Sequence, residues 1–378
     1  MQTGDGRVLS LRNELAKWLT NPLVASRALV VFLVATVTVF GNSTGSLPPI
    51  GDVNLPVLYG LARWDSGYYL GIATDGYAIF QHGYSFRPLF PLAIRGLYPA
   101  FPWLDVRSAE VLAGFLWNLV AVGIAAFYLE RLTKQLLGPA IASSTLLLLA
   151  VYPSTFFFTV IYSEATCILF IAASLYNLEK GRILLAGGLG FLAGLARPEA
   201  FLVAIPFLLK GIFEDQRFRK LLAGFTVLAS VPAFGVYAYT QTGNILAPFQ
   251  SEATGPKCTL LCFFNNPVYQ VANGVLPYAI NFVTMILAVI FVAIPLIRGN
   301  VSSKLFPYYM WAFVLLAVVF YSGEVRSFSR FALVVPPVFW AQAEYSALHP
   351  RFFGGLIVVY SVLMCLATIL WVNWYPML

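Results

Sequence analysis

The length of its uncharged runs is what most limits the fold of this chain. Stretches near 109–129, 275–297 and 352–373 reach or pass the ~20 apolar residues that carry a helix through a bilayer. Further apolar segments lie near 28–41, 139–157, 163–178, 183–209, 221–240, 305–322 and 331–346. Only 10% of the 378 residues are charged, against ~25% in soluble domains, and mean hydropathy is +0.79. The expectation is an all-α polytopic membrane protein, one integral-membrane unit over 1–378 with about 11 transmembrane or half-membrane helices. The opening MQTGDGRVLSLRNELAKWLTNPLVASR is too long and polar for a cleavable signal peptide and reads as a tail before the first span.

The basic residues set the orientation. With the N-terminus in the cytoplasm and the segments alternating, most of the 23 Lys and Arg fall on the inner side, among them Arg7, Arg12, Lys17, Arg27, Arg131, Lys134, Lys210, Arg217, Arg298 and Arg351. This requires 183–209 to enter and leave on the same side, as two tilted spans or a re-entrant pair. The segment is apolar on either side of Arg197-Pro198, each arm is short for a span, and Gly187, Gly188, Gly190 and Gly194 permit close packing in the first arm. The net charge of +7 is then mostly topological, and nucleic acid is not expected as a partner; the lipid bilayer is.

Two outer segments are long, about 42–108 and 241–274, while inner loops are short, so functional residues are expected on the non-cytoplasmic face. The first contains LARWDSGYYLGIATDGY. Asp65 there follows Trp64 at the membrane interface, where partial burial raises the basicity of a carboxylate and suits it to general-base work. Asp65 or Ser66 is equally placed to cap a short helix over SGYYLGIATDG, and cap and base are compatible. Asp75-Gly76 reads as the turn that ends this helix. In FRPLFPLAIRGLYPAFPW the prolines prevent a long helix, and the aromatics with Arg87 and Arg95 suit the headgroup belt; Arg87 is also placed to meet a lipid phosphate. Glu164, Arg197, Glu199, Arg326 and Arg330 fall at one outer depth in this topology. Mutual pairing accounts for some of them. The excess of Arg near 326–330 suits an anionic ligand such as a lipid-linked phosphate, since Arg binds phosphate bidentately.

Some chemistries lack their motifs. There is no Walker-type loop, no GxGxxG and no Asp-x-Asp pair, and His82 and His349 fall on opposite faces, against a His-rich zinc site. No metal ligand set or cofactor is expected, and a divalent-metal requirement is left open. Cys258 and Cys262 lie outside, where an oxidising compartment permits a disulfide that regular i,i+4 helical spacing would disfavour. Cys167 and Cys365 sit in spans as core residues. No internal repeat is visible, which lowers the case for a secondary transporter.

Taken in order, RWDSGYYLGIATDGY, RPLFPLAIR, FFFTVIYSEA, GLARPEAFL and SRFALVVPPVF resemble the mannosyltransferases of the phosphatidylinositol-glycan class V type, over most of the chain. The combination is fairly specific, though each piece alone is weak. The resemblance implies a GT-C fold, with a catalytic Asp in the first outer loop and interfacial helices around it. It also implies a polyprenyl- or dolichyl-phosphate sugar donor, a glycolipid or glycan acceptor, and an active site on the extracytoplasmic or ER-lumenal side. Asp65 then matches the catalytic Asp of the Trp-Asp motif, with Trp64 beside the substrate. Glu164 matches the acidic residue after the third span, and Arg197 and Arg330, with Arg326, fall where basic residues face the donor phosphate. One departure is Arg87, which stands where a Phe is expected before Pro88 and leaves the acceptor open. The chain is also shorter than the eukaryotic members, which suits a prokaryotic relative with no GPI acceptor. Two other classes compete. A transporter or lipid flippase would use these charges as a pathway at the midplane, whereas a scaffold subunit would close Asp65 and Arg197 in a salt bridge.

Overall fold

The computed structural model describes residues 20–41, 56–80, 83–252, 276–322 and 327–375. Among them every regular element is helical. Five helical stretches are long and apolar enough to cross a membrane: Pro22–Phe40, Val106–Leu137, Arg217–Thr242, Ala279–Ile297 and Pro350–Val372. We number the helices in chain order. The first set is α1 (Pro22–Phe40), α2 (Pro56–Leu61), α3 (Ser66–Asp75), α4 (Leu89–Leu97), α5 (Val106–Leu137), α6 (Pro139–Val151), α7 (Glu164–Glu179), α8 (Ile183–Ala196) and α9 (Ala204–Phe213). The second is α10 (Arg217–Leu228), α11 (Ser230–Thr242), α12 (Ala247–Glu252), α13 (Leu276–Ile297), α14 (Phe306–Ser322), α15 (Phe328–Leu333), α16 (Pro336–Leu348) and α17 (Pro350–Val372).

Local chemistry sets the ends of these helices. The Asp105 carboxylate caps α5 by accepting from the Ser108 backbone N–H at 2.9 Å, and α5 ends at Gly138, whose φ of 92° no L side chain adopts easily. At 32 residues α5 runs about 48 Å, well beyond a ~30 Å hydrocarbon core and beyond the apolar run at 109–129. The Asp75 turn forms as the sequence suggests, with α3 ending at Gly76 (φ 82°).

The apolar run at 139–157 is not one helix. α6 stops at Val151 because Tyr152 precedes Pro153 and is driven to extended backbone (ψ 139°). The stretch from Tyr152 to Ser163 is irregular apart from one 3₁₀ turn, Thr155–Phe158, and it is buried throughout. Buried backbone needs internal partners. Asn118 on α5 donates to the carbonyls of Val160 (2.6 Å) and Tyr162 (3.0 Å), and the Ser154 hydroxyl donates to that of Ser329 (2.8 Å). The Ile161 N–H donates to the Leu61 carbonyl at 3.0 Å, and Arg27 adds further bonds. It donates to the carbonyl of Thr155, to the Thr155 hydroxyl at 2.9 Å and to the Ala150 carbonyl at 3.4 Å. Arg27 therefore does not belong with the basic residues of an inner loop: it lies in the second turn of α1, 2% exposed, and braces the α6–α7 break.

The segment 183–209 breaks at Arg197, which is extended (φ −145°) before Pro198, and a 3₁₀ turn Pro198–Val203 leads into α9. Close approaches fix the directions of its arms. Gly187 meets Ala223 and Gly190 meets Val227, so α8 runs parallel to α10; Gly211 meets Leu221 and Leu208 meets Gly224, so α9 runs antiparallel to it. The arms thus run in opposite directions, with Arg197 at their apex. A Cβ at Gly187 would stand 2.9 Å from the Ala223 Cα, a backbone atom with no room to yield. A Gly187→Val variant is expected to lose about 1–3 kcal/mol or more of stability through overpacking. A lowered thermal midpoint in detergent, with Gly188→Val (open space at its Cβ) unchanged, is the check.

Candidate active site

Four residues singled out in the sequence meet in one place. Glu164 opens α7, where the helix N-terminus favours a negative charge. Its side chain is fully buried, and its Oε1 accepts from two guanidiniums, Arg197 Nη1 from the α8–α9 apex and Arg330 Nε (2.8 Å) from α15. The second oxygen, Oε2, is buried with no hydrogen-bond partner among the described residues. Arg197 Nε also donates to Glu199, two residues on. Arg330 reaches the other way, with Nη1 3.5 Å from Asp65 Oδ2. Its guanidinium lies 4.9 Å and 4.8 Å from the ring centroids of Phe157 and Tyr162.

Asp65 caps no helix with its side chain. It occupies the position before α3, but the carboxylate makes no cap hydrogen bond and turns to Arg330 instead. The loop that aims it is constrained from several sides. The Asp65 backbone N–H donates to the Tyr162 hydroxyl (3.1 Å), and that hydroxyl donates to the Arg63 carbonyl (3.4 Å). Arg63 is buried and donates to the Val372 carbonyl at the end of α17 (3.1 Å), with its guanidinium over the rings of Tyr59 and Trp374. Trp64 stands at φ 55°, a left-handed backbone that a bulky side chain adopts only under tertiary constraint. Its ring packs 5.6 Å from that of Trp374, and its indole N–H is buried without a hydrogen-bond partner among the described residues. Burial pushes the Asp65 carboxyl above the usual carboxylate range; Arg330 pulls it back and Glu164 pushes it further. A third of the Asp65 side chain remains open to solvent, whereas Glu164 is sealed.

The charges in this cluster do not sum as the sequence suggested. Asp65, Glu164 and Glu199 face Arg197 and Arg330, so the acids outnumber the guanidiniums among the described residues. Arg326, expected to add to the positive side, lies outside the described residues, as do Cys258 and Cys262. Arg87 lines no part of the cluster. It is buried beside Phe234 (4.7 Å to the ring centroid), in an aromatic group with Tyr77 and Tyr84. No group of three or more His, Cys, Asp and Glu is arranged to hold a metal among the described residues. Sequence reasoning passed over Arg63, Tyr162, Asn118 and Trp374, which hold the site without forming part of it. Their only signal was a polar or aromatic residue in an apolar setting.

The fold and the cluster define an all-helical integral membrane protein with a charged centre built at helix termini. The chain belongs to the PIG-V mannosyltransferase family, whose sequence model matches residues 20–214. It is 32% identical over 206 residues to GPI alpha-1,6-mannosyltransferase 2 of Cricetulus griseus, covering 49% of this chain and 41% of that one. To the Homo sapiens protein of the same name it is 31% identical over 219 residues, covering 52% and 44%. The chain thus spans less than half the length of these relatives. Among solved structures it resembles an oligosaccharyltransferase of Archaeoglobus fulgidus, with a TM-score of 0.48 at 10% identity, covering 92% of this chain and 52% of that one.

Proposed function

We propose that this protein is an inverting GT-C glycosyltransferase that moves mannose, or a similar hexose, from a polyprenyl- or dolichyl-phosphate sugar to a glycolipid or glycan acceptor at the non-cytoplasmic face. One observation carries the reading: a part-exposed Asp65 contacts Arg330, which shares the buried Glu164 with Arg197. In the reaction Asp65 takes the proton of an acceptor hydroxyl. The hydroxyl oxygen attacks the anomeric carbon, and the bond from that carbon to the phosphate oxygen breaks on the opposite face. A β-linked donor then gives an α-linked product, and polyprenyl phosphate leaves with the electron pair. Arg330 stabilises the departing phosphate, supported by Arg197, in a site partly closed to water. Glu164 holds the two guanidiniums side by side, and Trp64 borders the substrate.

This reading also gives the loose Asp65–Arg330 contact a use. Arg330 keeps Nε on Glu164 while its Nη1 faces Asp65. A phosphate that engages the Nη groups draws Nη1 from Asp65 and leaves its carboxylate free to accept a proton, so donor binding readies the base. A scaffold with Asp65 closed by Arg197 does not suit this geometry: Asp65 meets Arg330 instead and keeps solvent access. A transport path would instead place Asp65, Glu164, Arg197 and Arg330 at the membrane midplane with access from both sides, so a depth measurement on these four residues separates the two readings.

The test is transfer itself. Purified protein is incubated with labelled polyprenyl-phosphate mannose and membrane glycolipids, and the product linkage is determined. An α-linked mannosyl glycolipid, formed without nucleotide sugar, is the expected product. Label that stays on the carrier with every acceptor, or a β-linked product, would overturn the reading.

A further inference from the structure

The outer-loop helices leave a cavity of about 260 Å³ that has no place in the reaction proposed above. Its walls come from α3 (Ile72), α4 (Pro91, Leu92), the last turn of α8 (Leu195) and α11 (Ala233, Phe234). Arg95 lines it as well, exposed and with no hydrogen-bond or ion-pair partner among the described residues. None of Asp65, Glu164, Arg197 or Arg330 lines it.

Size and lining limit what fits. Pockets for compact drug-sized ligands run ~300–1,000 Å³, so this one takes a narrow section of a longer molecule. The walls are mainly apolar, with Tyr77, Tyr237 and Arg95 as the polar members and the Tyr77 hydroxyl already donating to the Phe86 carbonyl, so they suit an alkyl chain better than a hydroxyl-rich sugar. The free cation at the lining is the complement of an anionic headgroup. Nearby Tyr98 and the largely exposed Trp103 follow on α4, an aromatic signature of headgroup level.

We propose that this groove is a site for an anionic membrane phospholipid, one acyl chain lying between α4 and α11 and the phosphate resting on Arg95. We assign the occupant to the surrounding bilayer rather than to the reactants, because none of Asp65, Glu164, Arg197 and Arg330 lines the groove. The site still bears on that cluster. α3 begins directly after Asp65, and its second half forms a wall of the groove, so a seated chain braces the helix that follows Asp65.

Native mass spectrometry of delipidated protein titrated with phosphatidylglycerol or chain-matched phosphatidylcholine tests this. The wild type is expected to retain one phosphatidylglycerol about fivefold more tightly than phosphatidylcholine. Arg95→Gln is expected to abolish that preference without loss of fold, since the side chain is exposed. Ala233→Phe, which fills the groove, is expected to lower retention of both lipids while Arg95 stays in place. Asp65→Asn should bind as wild type, so the result stands apart from whether the transferase reading holds. Wild-type retention in both Arg95→Gln and Ala233→Phe would overturn the site, and displacement of bound phosphatidylglycerol by polyprenyl phosphate would assign the groove to a reactant instead.

Discussion

Asp65→Asn is expected to lower the rate of transfer by about 10²–10⁴-fold while the protein remains folded, because positioned general bases contribute that much. The substitution keeps the shape of the side chain and removes only its ability to take a proton. Its environment argues against a large structural loss: a third of the side chain is exposed, it caps no helix, and its ion-pair contact with Arg330 is 3.5 Å long. The measurement is kcat with saturating donor, beside a thermal midpoint. Near wild-type turnover would remove Asp65 from the chemistry.

The pH dependence carries the same argument. Burial raises the Asp65 carboxyl and Arg330 opposes the rise. The active form is the carboxylate, so activity is lost as pH falls through the raised value, and the acid limb should lie above the ~3.9 of a free Asp. Arg330→Gln removes the opposing cation. It should move the limb further towards neutral pH as well as reduce turnover.

Arg197→Met is expected to destabilise the fold by about 3–5 kcal/mol, the usual loss when one partner leaves a buried ion pair. Arg197 is 4% exposed and joins Glu164 on α7 to Glu199 beyond the α8–α9 apex. Without it, Glu164 keeps Arg330, but Glu199 is left as a nearly buried carboxylate whose ion-pair partner has gone. Adding Glu199→Gln should therefore recover part of the loss, so that the double variant is more stable than the sum of the single effects predicts. Additive losses, or a single-variant loss below about 1 kcal/mol, would show that the apex is held by packing rather than charge.

Much of the site was legible because charge is scarce in this chain. In a sequence where 10% of residues are charged, each acid or Arg at the edge of an apolar run stands out. Asp65, Glu164, Arg197 and Arg330 were singled out for that reason, and the structure brings all four together. Arg87 stood out equally and lies among aromatics instead. Position relative to a span does not reveal which neighbour a side chain will meet.

The sequence by itself determined the helical class, the five apolar runs that form helices long enough to cross a membrane, the break at Arg197-Pro198 and the turn at Asp75-Gly76. Each follows from composition or from a backbone preference that acts within a few residues. Tertiary structure alone decided the rest. It buried the irregular stretch that follows α6, whose carbonyls drew Arg27 and Asn118 from other helices. It held Trp64 in a left-handed conformation and turned Asp65 from a cap towards Arg330. Among the described residues it set three carboxylates, Asp65, Glu164 and Glu199, around Arg197 and Arg330. The physical reason is common to all of these. Polar groups buried in a low-dielectric interior must find partners, and those partners come from residues up to 309 positions apart in the chain, at separations that no local pattern encodes.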